Sequence, residues 1–198
     1  MCIKSFKVIV CCCYRLSDSF DSYTSFYLVI DNTRTLYFAK KLKTDPIAIK
    51  QRGKTPPTLK DILSSFYFGL AAIHKIKRAK DNDLRRGARE VITMLKEMAS
   101  YSQHNFQNKV HLLQAEYLSL NKSDDKARLE YIAAIETSQK SAFIHEEGIS
   151  CELAGGHCEQ FKDNTSALKF YKQAKECYIK WGSVMKAELM DAHIARLK

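Results

Sequence analysis

The chain repeats itself at a spacing of forty residues, with Ala127, Tyr131 and Ala134 returning as Ala167, Tyr171 and Ala174. Twelve positions ahead of each triplet stands a small residue, Ala115 and then Gly155. Steps of four and three keep a triplet on one helix face. The small residue upstream lets a preceding helix come close, and the aromatic fills the gap between hairpins. A period of roughly 20–50 residues is the mark of stacked helical units, none of which buries its apolar face alone. Such arrays hold partners and position domains, and chemistry is not what they are built for.

The rest of the second half reads the same way. Phe66, Leu70, Ile73 and Ile76 share one face of a first helix that Thr58 and Asp61 cap. Asp81-Asn82-Asp83 opens a second, with Ala88, Val91, Ile92 and Leu95 inward and Arg85, Arg86 and Arg89 outward. A break at residues 102–105 precedes a third, carrying Val110, Leu113, Tyr117 and Leu120. The fourth holds Ala127, Tyr131, Ala134 and Ile135, the fifth runs over residues 144–161, and Asp163-Asn164-Thr165 caps the sixth. That sixth helix stops near Trp181-Gly182, glycine being a common helix terminator. A tail helix over residues 185–198 is expected to bury Leu189, Ala192 and Leu197. Trp181 is expected to anchor the tail helix by packing.

The front differs. Residues 25–30 and 35–39 are rich in aromatic and β-branched residues around a turn at Asp31-Asn32-Thr33, which predicts a β-hairpin. All three prolines, Pro46, Pro56 and Pro57, fall in the basic stretch that follows, a linker by composition. The expected division is an irregular basic extension over residues 1–57 and a helical-repeat domain over 58–198. No apolar run approaches the ~18–20 residues that span a bilayer. The run Val8–Tyr14 after Lys4 and Lys7 lacks the cleavage site of a signal peptide.

Charge separates the two parts. The net +10 belongs to the front: residues 1–60 carry eleven Lys/Arg against four Asp/Glu, whereas residues 109–198 carry thirteen of each. A nucleic-acid reader carries its basic stripe on the folded element that docks, so nucleic acid is not an expected partner. The seven cysteines are odd in number and clustered, unlike a disulfide framework. Cytoplasmic, reducing surroundings suit them.

The small–aromatic–small pattern resembles the tetratricopeptide repeat, although the period exceeds the usual ~34 residues. It also lacks the repeat's characteristic tryptophan and helix-ending proline. A closer resemblance covers residues 64–190. It rests on Phe66-Tyr67, Asn105-Phe106 before Lys109-Val-His-Leu-Leu-Gln-Ala115-Glu116, and Phe143-Ile144-His145-Glu146-Glu147. Tyr171, Ala174, Tyr178, Trp181-Gly182 and Lys186 complete it. These segments are similar to the helical-repeat region of large signalling proteins that join AAA-type ATPase, serine/threonine kinase, GAF and histidine-kinase modules. The resemblance implies a detached or truncated regulatory module of signal transduction, with no cofactor and no catalytic residue of its own. The phosphate-cradling G-x-x-x-x-G-K-[ST] motif does not occur.

The expected fold is therefore all-α, antiparallel helical hairpins stacked as a tetratricopeptide-like right-handed superhelix. First helices line the concave side of such arrays. That places Lys109, Leu112, Glu116, Glu152 and Glu159 in a groove for a protein or peptide partner, with an ATPase or kinase module or a second copy as candidates. The alternative is a membrane-tethered adaptor, S-acylated at Cys2, Cys11, Cys12 and Cys13. It is disfavoured because Cys2 follows Met1 where myristoylation needs glycine. A zinc site built from His145, Cys151, His157 and Cys158 fails on helical geometry, since only the two cysteines share a face. Both fall where small apolar core residues belong. A cysteine nucleophile at Cys177, with His111 or His193 as base, has no pattern behind it.

Overall fold

Identical turns at a fixed interval build most of this fold. The computed structural model describes residues 9–12, 26–29, 59–78 and 81–198. Its helices are α1 Leu59–Ile76, α2 Asn82–Tyr101, α3 Gln103–Leu120, α4 Asp124–Lys140, α5 Ile144–Gln160, α6 Asn164–Trp181 and α7 Val184–Arg196. Among the described residues the second half is all-α, as expected.

Lys122, Ala142, Lys162 and Gly182 adopt positive φ of 56°, 56°, 62° and 84°. They follow one another every twenty residues. After each, the next backbone N–H reaches back five residues: Ser123 to the Leu118 carbonyl, Phe143 to Ser138, Asp163 to Cys158 and Ser183 to Tyr178, at 2.8–3.3 Å. This is the Schellman arrangement, which satisfies carbonyls that a helix end leaves bare. The same four residues open the next helix, their carbonyls accepting from the N–H groups of Ala127, Glu147, Ala167 and Ala187. One residue thus ends one helix and starts the next. The turn within a hairpin and the turn between hairpins are the same object, so the structural period is half that seen in the sequence.

Neighbouring helices run antiparallel. Across α3 and α4, His104 meets Ser141 near one end while Glu116 meets Tyr131 further along. Across α5 and α6, Gly148 lies against Tyr178 and Gly155 against Tyr171. The α2–α3 connection is the exception: Ser102 alone separates the two helices. The expected break over residues 102–105 is shorter than predicted, because Asn105 folds into the first turn and its amide donates back to Ser102 Oγ.

One continuous core runs along the stack, from Phe66 and Ile73 through Leu84, Leu95 and Leu113 to Tyr131, Tyr171, Tyr178 and Met190. α7 corrects the sequence reading. Its buried face is Ala187, Met190, His193 and Ile194, while Ala192 is exposed and Leu189 and Leu197 are half-buried. The Trp181 ring lies 6.5 Å from Tyr178 of its own helix and 5.5 Å from His145 between centroids, and the second contact ties the end of α6 to the start of α5.

In the front, β1 Ile9–Cys12 pairs antiparallel with β2 Phe26–Val29, with Ile9 opposite Val29 and Cys12 opposite Phe26. The strand expected over residues 25–30 is thus paired with an earlier segment. Its expected partner at 35–39, the Asp31-Asn32-Thr33 turn, the proline-containing linker and the Thr58 cap lie outside the described residues.

Candidate functional site

The five residues assigned to a partner groove all sit on α3 and α5, and the structure shows what each touches. Lys109 and Glu116 are each 3% exposed, Leu112 1% and Glu152 9%; Glu159 is half-buried. Glu116 accepts from Lys77 Nζ at 2.8 Å, just beyond α1, and from the Tyr131 hydroxyl of α4. Lys109 Nζ donates to Glu146 of α5 at 2.8 Å and to the Asn105 carbonyl at 2.9 Å, and stands 4.7 Å from the Phe143 ring centroid. Glu146 also accepts from the Asn108 side-chain amide. Glu152 meets Lys186 of α7 at 2.6 and 2.8 Å and the Tyr178 hydroxyl at 2.5 Å. Glu159 takes Arg196 of α7 at 2.6 and 2.8 Å and the Tyr171 hydroxyl at 3.0 Å.

These are joints between α1, α3, α5 and α7. Each carboxylate takes a cation from a neighbour two helices away, and Glu116, Glu152 and Glu159 also take a tyrosine from the adjacent second helix. Burial alone pushes the Glu116 and Glu146 carboxyls up; Lys77 beside the first, and His145 and Lys109 beside the second, outweigh it and hold both below the usual range. The same surroundings push the Tyr131 and Tyr178 hydroxyls well up, so they stay protonated as donors. In the first hairpin Tyr131 finds its acid at position 116. Forty residues on, that place is Gly156, and the acid has moved one turn along to Glu159, where the first hairpin has Ser119.

A second polar group escaped the sequence reading. Ser119 Oγ lies 2.9 Å from His157 Nδ1, and His157 Nε2 lies 2.8 Å from Asp124 Oδ1. Serine, histidine and aspartate in series have the connectivity of a hydrolytic triad. The exposure is the reverse of what that chemistry requires. The serine is 2% exposed and cannot meet a substrate, while Asp124, the orienting acid, has a side chain 32% exposed. The series joins α3, α4 and α5, and the imidazole packs on the Tyr131 and Phe161 rings at 5.3 and 4.7 Å. Burial pulls His157 down despite Asp124, which keeps the ring neutral near pH 7. Nothing in the sequence spacing of the three residues links them.

The thiols of Cys151, Cys158 and Cys177 are buried. Burial pushes all three up, Cys177 to about 12, and a protonated thiol is a poor nucleophile and metal ligand. Among the described residues no group of three His, Cys, Asp or Glu side chains is placed to hold a metal ion. No helix among them is long and apolar enough to cross a membrane. Cys11 and Cys12 lie in β1, and Cys2 and Cys13 fall outside the described residues.

The opposite side of the stack is open. Between α4 and α6 runs an apolar cleft floored by Ala154, His157 and Cys158 of α5, with Ile132 on one wall and Phe170 on the other. It encloses a recess of about 130 Å³. Polar bridges close its ends. At one, Arg128 of α4 donates to Asp163 at 2.7 Å. At the other, Gln139 of α4 and Gln173 of α6 both donate to Glu147 of α5, at 2.8 and 3.1 Å. On α4, α6 and the turns that flank them the exposed charges are mostly lysines: Lys122, Lys126 and Lys140 at α4, and Lys162, Lys169, Lys172 and Lys180 at α6. Exposed acids on these two helices are Asp125, Glu136 and Glu176. Buried carboxylates Glu116, Glu146 and Glu152 are thus paired inside the stack, while the lysines of α4 and α6 are mostly exposed. Comparison with protein-family models, curated proteins and solved structures returns no match.

Proposed function

We propose that the chain is a non-catalytic protein-interaction or regulatory module, an array of helical hairpins stacked in the right-handed, tetratricopeptide-like manner. The observation that carries this reading is the twenty-residue recurrence of one turn geometry from Lys122 to Gly182. An array made of one repeated joint offers a long, rigid surface whose function is shape. The buried joints support it, since side chains engaged with each other hold the helices in place and leave the surface to a partner. Signalling machinery built from ATPase and kinase modules remains the proposed setting, on sequence resemblance alone.

The buried state of Glu116 and Glu152 changes how the proposal is tested. Reversing their charge would break the stack before it could report on a partner. The full chain is instead purified from cells that express it, and the co-purifying protein is reconstituted with it in pure form. A saturable complex of fixed stoichiometry is expected. Substrate turnover by the chain alone, with no partner required, would refute the proposal.

A further inference from the structure

The two clefts on the outer side of the stack occupy equivalent places and have opposite contents. Between α2 and α4 the positions are filled and polar. Glu130 lies 2.6 Å from His111 and accepts from Gln114 at 3.4 Å, and Arg85 of α2 stands 6.0 Å from the Tyr117 ring centroid. Forty residues on, Gln114 becomes Ala154, Leu118 becomes Cys158 and Glu130 becomes Phe170. Two long floor residues shrink and a carboxylate wall turns aromatic. The result is the recess between α4 and α6, whose volume of about 130 Å³ approaches the roughly 150 Å³ of an apolar cavity that takes up benzene.

Resting on the reading of the chain as an interaction module, we propose that this cleft is the partner site. Its occupant is an acidic helix of another protein, anchored by one leucine- or phenylalanine-sized side chain in the recess. Three observations fix that chemistry. The recess is apolar and fits a single bulky group, the way interface anchors seat in desolvated pockets. The polar bridges at Arg128 and Gln139 stand eleven residue steps apart on α4, about 16 Å at 1.5 Å per residue, which is the reach of three helical turns in a partner. Beside it α4 carries Ile132 and Leu129, 44% and 68% exposed, and α4 and α6 with their flanking turns show seven exposed lysines against three exposed acids. An apolar stripe with a basic border fits a helix with an apolar stripe and an acidic border. The chain's own front is a poor occupant, since residues 1–60 are themselves strongly basic. A nucleic acid satisfies the lysines and has no side chain for the recess.

The test uses the full chain with labelled isoleucine and alanine methyls. It is titrated with a sixteen-residue helix-forming peptide of glutamates around one leucine stripe. A matched peptide has its central leucine replaced by alanine, and a DNA duplex of equal charge serves as the third probe. The leucine peptide is expected to shift the Ile132 and Ala154 methyls, with at least tenfold weaker binding for the alanine peptide and for the duplex. The variant Ala154→Gln/Cys158→Leu restores the residues that fill the neighbouring cleft. It is expected to keep the wild-type methyl spectrum elsewhere and lose the peptide by a similar factor. Lys169→Glu/Lys180→Glu leaves the recess intact and should weaken the peptide while flattening its salt dependence. The proposal is overturned if no cleft methyl responds, if the refilled variant binds as tightly, or if the alanine peptide or the duplex binds as well as the leucine peptide. A partner that binds the chain with equal affinity in the refilled variant would remove the cleft and leave the interaction function standing.

Discussion

A Cβ on Gly155 would lie 2.8 and 2.9 Å from two ring carbons of Tyr171. The glycine is there for its neighbour: the ring lies flat against the α5 backbone, and its hydroxyl reaches Glu159 one turn on. Gly155→Ala is expected to cost about 1–3 kcal/mol through overpacking, read as a lower urea midpoint with an unchanged slope. Gly182 is the opposite case, with φ of +84° and nothing within 4 Å of an added Cβ. There the backbone alone makes the demand, and Gly182→Ala should cost about 1 kcal/mol. Ala142 carries that demand already, at φ 56°. Ala142→Gly should stabilise the protein by some tenths of a kcal/mol up to about 1, the strain relieved exceeding the added freedom of the unfolded chain. A loss of stability in Ala142→Gly would mean that the turn is shaped by its surroundings more than by its own φ.

Between elements, the joint of α3 and α5 is the most deeply buried, with Lys109 and Glu146 side chains 4% and 3% exposed. Removing one partner leaves the other charged in the core. Lys109→Met is therefore expected to cost about 3–5 kcal/mol, and Lys109→Met/Glu146→Leu distinctly less than the sum of its singles. Equal costs for the double and the sum would show that the two side chains act independently. This joint also marks what the sequence could convey. Helix faces were legible because burial follows a period of 3.6 residues, and Ala127, Tyr131 and Ala134 are buried as read. The alignment of Lys109, Glu116 and Glu152 on first helices was legible too. Their burial was not, because each partner (Glu146, Lys77, Lys186) lies 34–39 residues away on a helix two removed. The twenty-residue turn stayed hidden for a chemical reason: three of its four left-handed positions hold Lys122, Ala142 and Lys162, and the glycine signature of such a turn survives only at Gly182. In α7 the leucines drew the eye, although the buried positions are taken by Met190 and by His193, which stacks on Tyr171 of α6. The cleft between α4 and α6 becomes visible only when equivalent positions of two hairpins are compared in three dimensions.

For the molecule as a whole, buried charges of both kinds point the same way with pH. His74, His157 and His193 all sit below the ordinary 6.5, each first through burial. For His74 the nearby Arg78 and Lys77 add to this, and for His193 Arg196 does. Glu116 and Glu146 sit below the ordinary 4.5, their cation partners overriding burial. A group whose folded value is depressed stabilises the fold above its unfolded value, and that contribution drains away as pH falls toward the folded value. Five depressed groups therefore add with one sign. Stability should be level between about pH 7 and 8 and decline in two stages below that. The first starts as the pH falls through 6.5, where the unfolded histidines take up protons, and the second below 4.5, where the unfolded carboxyls do. Urea midpoints between pH 8 and 3 would trace both stages. His157→Gln keeps a donor for Asp124 and an acceptor for Ser119 and cannot be protonated, so it should shrink the first stage and spare the second. Stability that rises as pH falls from 7 to 5.5 would reverse the assignment. The pull of Asp124 on the imidazolium would then exceed the penalty of burial, and the serine–histidine–aspartate series would hold α3, α4 and α5 together most tightly in its charged form.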